Sequence, residues 1–371
     1  MDPAGHGTAA VTRVALDLRI IHFARTGFHR FARGIIHALE RFPQDDTQYV
    51  LLVHEDAEPL SACPHLRHVA VQTPLFVPDE GARLADELAP LALDVVHFPF
   101  SLFPGRVAPR VTVTVHDTTC LTWPDTMEAR YRPYYRSAIE QVAAADAVVA
   151  VSHATAESLR TAGVTADVRV IYQETPFESS YGDGGVADAT ILQSLLDAPY
   201  VLAVGSFEPR KNHASLLAAF TSLRADRRVR LVLVGGHGWL SEALDAALAQ
   251  HPFRHDICVL SHADDATVAL LMRHCAVFVH TAYHEGFGLT PLEALALGAC
   301  VVSTPVPSLI EAGFPDDGLI DPTDVQQLHD RLAELMDDAT ARRNLATHAQ
   351  DNAGRFYRGL PRARLSKAYA A

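Results

Sequence analysis

Short runs of β-branched and apolar residues alternate along this chain with stretches of helical period. Several are too continuous to leave one face wet: Val201-Leu-Ala-Val204, Leu231-Val-Leu-Val234 and Ala147-Val-Val-Ala-Val151 hold no polar residue. Strands of that kind are expected in parallel sheets covered by helices on both faces. The pattern predicts strands at Val11–Leu18, Tyr49–His54, Val95–Phe100, Val111–His116, Ala147–Ser152 and Val168–Tyr172. A second series falls at Tyr200–Gly205, Arg230–Gly235, Asp256–Leu260, Ala276–His280 and Cys300–Thr304. Intervening segments such as Ala214–Leu223 and Pro291–Leu297 read as helices, which makes two successive βαβ series.

The series break at Ser179–Asp188, Ser-Ser-Tyr-Gly-Asp-Gly-Gly-Val-Ala-Asp, a linker by composition. We therefore expect an α/β chain of two doubly wound parallel-sheet domains, 1–180 and 181–350, facing a cleft, followed by a C-terminal segment over 351–371. The length of 371 residues agrees, being more than one core usually organises. Ligands of such sheets sit beyond the carboxyl ends of strands, so motifs just after strands carry the functional information.

Charge and cysteine usage exclude several classes. With 44 acids against 31 bases the net charge is −13, which disfavours a broad nucleic-acid surface. The 5 cysteines are widely spaced and form no C-x-x-C, so neither a disulfide framework nor a metal site is expected and a reducing cytoplasm fits. No apolar run reaches the roughly 18 residues of a membrane span. Residues 1–10 do not read as a signal peptide. Residues 351–371 carry Arg355, Arg358, Arg362, Arg364 and Lys367 against Asp351. That segment reads first as a solvated helix and second as a contact with an anionic membrane.

The most informative motif is His284-Glu-Gly-Phe-Gly-Leu-Thr-Pro-Leu-Glu293, which follows a strand and opens a helix. Gly286 and Gly288 allow backbone to approach a ligand, and the amides of Leu289 and Thr290 fall where a helix N-terminus favours an anion. Glu285 and Glu293 are placed to bond hydroxyls of a sugar or ribose. Thr290-Pro-Leu-Glu293 also reads as a capping box with Pro291 at the first helical position, which accounts for Glu293 but not for Glu285 or the glycines. A hydrolase pair is excluded: eight residues along a helix span ~12 Å, beyond the about 5–10 Å of paired hydrolytic carboxylates.

A second motif, Gly205-Ser-Phe-Glu-Pro-Arg-Lys-Asn212, follows the first strand of the second series. Adjacent Arg210 and Lys211 suit a diphosphate, the one as a planar fork and the other as a point charge. An exposed turn capped by Asn212 is the plainer alternative, but the chain keeps only two lysines, Lys211 and Lys367, and one of them stands here. His116-Asp117 ends another strand and is placed to meet a sugar hydroxyl or the reacting centre, or else is a capping Asp beside an incidental His. Asp17-Leu-Arg19 closes the first strand, and Thr26-Gly27 with Arg30 opens the next helix, either as a tight turn approaching a diphosphate with Arg30 reaching an acceptor or, more plainly, as a capped helix start with Phe28 and Phe31 in the core. No Gly-x-Gly-x-x-Gly follows the first strand and no Gly-Lys-Ser/Thr loop occurs, which argues against dinucleotide dehydrogenases and P-loop enzymes. No D-x-D metal motif stands at a strand end.

Together these residues resemble the retaining GT-B glycosyltransferases of family four, which carry an E-x7-E motif, here Glu285 to Glu293. Val234-Gly-Gly236 and the Glu208-Pro-Arg-Lys-Asn212 segment are similar to that family's donor domain. Asp17-x-Arg19, Thr26-Gly-x-x-Arg30 and His116-Asp117 resemble a branch rich in bacterial mannosyltransferases of surface polysaccharide and lipopolysaccharide synthesis. The resemblance implies two Rossmann-like domains, with the C-terminal segment returning toward the first. It implies a nucleotide-diphosphate sugar as donor, GDP-mannose favoured, a glycan or lipid-linked acceptor, and no cofactor or metal. Arg210 and Lys211 would neutralise the diphosphate, Glu285 would hold the transferred sugar, and His116 would lie near it. Glu293 would bind the ribose, Gly288, Leu289 and Thr290 the distal phosphate, Gly27 the donor, and Arg30 and Asp117 the acceptor. A cytoplasmic enzyme, with peripheral contact at the inner membrane face as a further expectation, follows. The competing readings are another GT-B enzyme, such as a sugar-nucleotide epimerase or a phosphorylase, and a catalytically silent nucleotide-sugar-binding subunit.

Overall fold

The computed structural model describes residues 11–22, 27–41, 46–101, 103–172, 195, 198–236, 238, 240–261, 263–356 and 369, with backbone alone at 27–30 and 351–356. The expected linker at 179–188 and the side chain of Arg30 lie outside the described residues. Contacts divide the chain into two units. One comprises Met1–His116, Ser137–Glu174 and Leu360–Ala371; the other comprises Asp117–Arg136 and Thr175–Gly359. The division does not follow chain order: Asp117–Arg136 groups with the second unit and the C-terminal residues group with the first.

In the first unit, seven strands form one parallel sheet. They are β1 (Thr12–Asp17), β2 (Thr47–His54), β3 (Leu66–Val71), β4 (Val95–Phe98), β5 (Arg110–Val115), β6 (Ala147–Ala150) and β7 (Asp167–Val170). Their order is β3-β2-β1-β4-β5-β6-β7. The central strands β4, β5 and β6 are buried almost throughout, as continuous apolar runs require. The sequence pattern misses β3, Leu-Arg-His-Val-Ala-Val, because it is an edge strand whose middle residues are not fully buried. An edge position tolerates the polar residues that broke the apolar signal.

In the second unit, β8 (Tyr200–Val204), β9 (Arg230–Val234), β10 (Ile257–Leu260), β11 (Val277–His280) and β12 (Val301–Ser303) form a parallel sheet of order β10-β9-β8-β11-β12. Its core packs Val201, Leu231, Leu233, Val277 and Val279 against Leu216, Phe220, Leu223, Leu328 and Leu332 from the helices His213–Asp226 and Val325–Asp337. Both sheets wind outward in opposite directions from their first strand. Each therefore has a switch point, between β1 and β4 in one unit and between β8 and β11 in the other, where the loops after those strands diverge and leave a crevice.

Tyr369, close to the end of the sequence, is buried in the core of the first unit among Val14, Leu16, Tyr49 and Leu51. Its hydroxyl lies 2.8 Å from His97 Nδ1, and Arg110 donates 2.9 Å to its carbonyl oxygen. The other ring nitrogen of His97 meets Thr114 Oγ1 at 2.8 Å. Among the described residues no helix is long and apolar enough to cross a membrane.

Candidate active site

Two loops flank the switch point of the second sheet, Gly205–Asn212 after β8 and Thr281–Gly288 after β11. The first turns immediately because β8 and β9 end in close contact: a Cβ on Gly235 would stand 1.9 Å from the carbonyl oxygen of Gly205. A short 3-10 turn, Pro209–Lys211, then delivers the cations, and Asn212 closes it in the left-handed region at φ 53°. The Asn212 side chain accepts from Ser215 N at 3.4 Å and donates to Pro322 O at 2.7 Å. The capping role foreseen for Asn212 is real, and it fixes the Arg-Lys turn instead of competing with a functional role for it.

Thr281 Oγ1 donates 2.8 Å to Lys211 O, and Tyr283 N donates 2.9 Å to Arg210 O, which ties the second loop to the first. Arg210 Nη1 donates 2.7 Å to His284 O and lies 3.0 Å from Glu285 Oε2. Lys211 Nζ pairs with Glu285 Oε1. Glu208 Oε1 accepts 2.7 Å from Arg210 Nη2 and 2.9 Å from Ser206 Oγ. Arg210, Lys211 and Glu285, three of the four residues expected at a reacting centre, are thus one partly buried cluster.

Burial by itself would raise the Glu285 carboxyl; Arg210 and Lys211, with help from His280, hold it well below the ordinary carboxylate range. Burial likewise works against the Arg210 charge, and Glu285 and Glu208 more than offset it. Two histidines lie beneath the cluster. His280 Nε2 is 3.4 Å from Glu285 Oε1, and burial keeps its ring neutral against the pull of that carboxylate. Burial, with Lys211 and His280 nearby, lowers His213 to about 4.

The helix after the second loop is Leu289–Ala296, with Gly288 as its N-cap at φ 92°. Thr290 is therefore inside the helix, not its cap, and no side chain caps it. The capping-box reading of Thr290 to Glu293 is corrected accordingly. Gly288 does the work: a Cβ there would lie 2.8 Å from Val306 Cγ2, and its left-handed backbone turns the chain so that the amides of Leu289 and Thr290 begin the helix. Glu293, one helical turn on, is fully buried.

The first-unit candidates sit differently. His116 donates from Nε2 to Pro99 O at 2.7 Å and is packed edge-on to Phe31 and parallel to Phe100, so its ring is held at the margin of that unit's core. Gly27 begins the helix Gly27–Arg41. Arg19 is buried and spends its guanidinium on Asp17 (2.7 and 2.9 Å), Glu80 (2.9 Å) and Thr73 O (2.7 Å), a closed structural ion cluster. Asp17-Leu-Arg19 therefore braces the end of β1.

Asp117 accepts from Thr119 N at 2.9 Å, and its charge acts on both Arg210 and His284 within the second unit. Sequence reasoning missed Glu208, His280, Thr281, Tyr283 and Trp123. Glu208, Thr281 and Tyr283 lie in the loops flanking the switch point and His280 ends β11, a signal that needs the strand order; nothing in the sequence marks Trp123.

Two parallel α/β units, the second with a cation–carboxylate cluster at its switch point, make up the GT-B architecture. Comparisons with known proteins agree. Residues 25–173 match the family model described as Glycosyltransferase Family 4, and residues 189–352 the one described as Glycosyl transferases group 1. The chain is 31% identical over 252 residues to an O-antigen chain mannosyltransferase B of Escherichia coli, covering 66% of this chain and 65% of that protein. It is 27% identical over 240 residues to a serotype-specific mannosyltransferase of Escherichia coli, covering 62% of this chain and 29% of that one. The chain thus spans less than two thirds of either relative. Among solved structures, a sucrose-phosphate synthase of Thermosynechococcus elongatus has the same fold, with TM-score 0.78 and 19% identity over 96% of this chain and 98% of that chain. The chain belongs to the GT-B glycosyltransferases of family four, and it resembles the bacterial mannosyltransferases among them.

Proposed function

We propose that this protein is a retaining hexosyltransferase that moves mannose from GDP-mannose to a growing glycan or lipid-linked acceptor in surface polysaccharide synthesis. The observation that carries the reading is the convergence of Arg210, Lys211 and Glu285 at one switch point. The donor diphosphate sits on Arg210 and Lys211, where fixed cations stabilise the charge that develops as it leaves. Glu285, ionised and oriented by the same cations, accepts hydrogen bonds from hydroxyls of the transferred sugar. The amides after Gly288 bind the distal phosphate at the start of their helix, and Glu293 takes the ribose hydroxyls. The acceptor hydroxyl attacks from the face the leaving group departs, giving its proton to the leaving phosphate oxygen, so configuration is retained. Two cationic side chains supply the neutralisation a divalent ion would give, and the reaction runs without metal. The protein acts on the cytoplasmic side, where nucleotide sugars are made.

Incubation with a panel of nucleotide sugars, with and without mannoside acceptors, and a readout of nucleoside diphosphate release tests the reading. Release with GDP-mannose that rises with acceptor, persists in chelator and yields an α-linked product is expected. No turnover with any donor overturns it, and donor conversion without an acceptor product would mark an epimerase instead.

A further inference from the structure

The segment Asp117–Arg136 contributes to the second unit a feature that the donor site does not use. Trp123 stacks on Tyr283 with ring centroids 5.4 Å apart and planes inclined by 17°, yet stays 40% exposed. Tyr283 is the residue whose N–H bonds Arg210 O, and it stands two before Glu285. Beside this aromatic pair are two buried polar atoms, Thr119 Oγ1 and His284 Nε2, with no hydrogen-bond partner among the described residues. Thr119 and Trp123 begin and follow one helical turn, Thr119–Thr122, closed by a 2.8 Å bond from Trp123 N to Thr119 O. Asp117 links the two sides, because it accepts from Thr119 N and its charge acts on His284.

Buried hydroxyl and imidazole atoms are normally satisfied, so two of them, one on each of the segments that carry the stacked rings, call for a ligand that brings its own donors and acceptors. A pyranose offers that combination: a flat C–H face for an indole and a rim of hydroxyls for Thr119 and His284. A nucleobase also stacks, but the pair flanks Glu285, the carboxylate read as holding the transferred sugar.

We propose that Trp123, Tyr283, Thr119 and His284 form a binding subsite for a pyranose, the terminal sugar of the glycan acceptor. Sugar binding here stands on this geometry alone; its description as the acceptor rests on the transferase reading above.

The chain has two tryptophans, Trp123 and Trp239, so Trp239→Phe leaves Trp123 as the sole indole reporter. Titrating that variant with methyl α-mannobioside is expected to change its emission saturably, and Thr119→Val to weaken the titration about fivefold or more, the scale of a lost hydrogen bond. In transferase assays Trp123→Ala is expected to raise the acceptor KM about tenfold or more, with Trp123→Phe recovering part of it, while the Kd for GDP by calorimetry stays within about twofold. An emission change with GDP but none with the mannoside assigns the face to the base and overturns the proposal. So does a Trp123→Ala acceptor KM equal to wild type in an active enzyme. Saccharide titration by a protein that turns over no donor would leave the sugar subsite standing and sink the transferase reading instead.

Discussion

Arg210 Nη1 lies 3.0 Å from Glu285 Oε2, so the cation best placed to receive a diphosphate is already half-claimed by a carboxylate. Both groups are mostly but not fully shielded from solvent, and Lys211 shares the same carboxylate. A donor entering this site adds anionic oxygens to a pre-formed ion cluster, and Glu285 opposes the diphosphate while orienting the sugar.

Glu285→Gln separates those two effects. Removing one negative charge beside Arg210 and Lys211 should tighten nucleoside diphosphate binding by about three- to tenfold, measured by calorimetry. Transfer should fall about a hundredfold or more, because the carboxylate no longer holds the sugar. Transfer within a few fold of wild type would show that Glu285 does not touch the transferred sugar.

Lys211→Ala should lower turnover about a hundredfold to a thousandfold, with the loss chiefly in kcat, since the charge it offsets is greatest as the diphosphate leaves. The fold should persist: the turn is held by Thr281, Asn212 and Tyr283 through backbone atoms that the substitution leaves in place. Circular dichroism and thermal melting check the second half of the expectation, and a collapsed melt would make the activity loss uninformative about charge.

Buried neutral histidines make the protein acid-sensitive. Burial, with His116 nearby, lowers His97 to about 3, and His213 falls to about 4. An unfolded histidine titrates near 6.5, so from 6.5 down to those values the unfolded chain binds protons that the native chain refuses. Stability is full above 6.5 and declines as pH falls; at pH 5.5 each histidine should cost about 1.4 kcal/mol. Glu285 acts at lower pH: its contribution is present above the ordinary carboxylate pKa and is lost as pH drops toward its depressed native value. Urea midpoints at pH 7.5 and 5.5 should differ less in His97→Gln than in wild type; an equal difference would mean that His97 is not the group responsible.

Gly288→Ala should destabilise the second unit by about 1–3 kcal/mol, combining left-handed strain with the clash on Val306, and should abolish nucleotide binding by re-aiming the helix start. Gly298→Ala is the comparison. It shares a positive φ of 86°, but a Cβ there meets only Gln350 Nε2 at 3.3 Å, a side-chain end that can move. It should lose stability and keep nucleotide affinity; parallel loss of affinity in both would make the effect a general one.

Continuous apolar runs revealed most strands because a strand covered on both faces leaves no room for polar residues. The same logic hid β3, whose edge position admits Arg67 and His68. Lys211 stood out because lysine is scarce, and Glu285 because glycines surround it. The Trp123–Tyr283 stack was silent because its two rings are remote in sequence, and Glu208 and His280 because each acts by orienting a neighbouring charged group. The alternative of a capping box at Thr290 arose because its spacing to Glu293 imitates a cap that Gly288 provides through backbone conformation. The role of Arg19 as a brace depends on Glu80 and Thr73, which only the folded chain brings to it.

The seating of Tyr369 in the first unit's core has a consequence for synthesis. Nearly all of the second unit's sequence lies between Glu174 and this tyrosine. While the polypeptide emerges from the ribosome, the first unit can collapse but must wait with His97 and Tyr49 lacking their packing partner until residue 369 arrives. The domain begun first is finished last, against the usual vectorial order of folding.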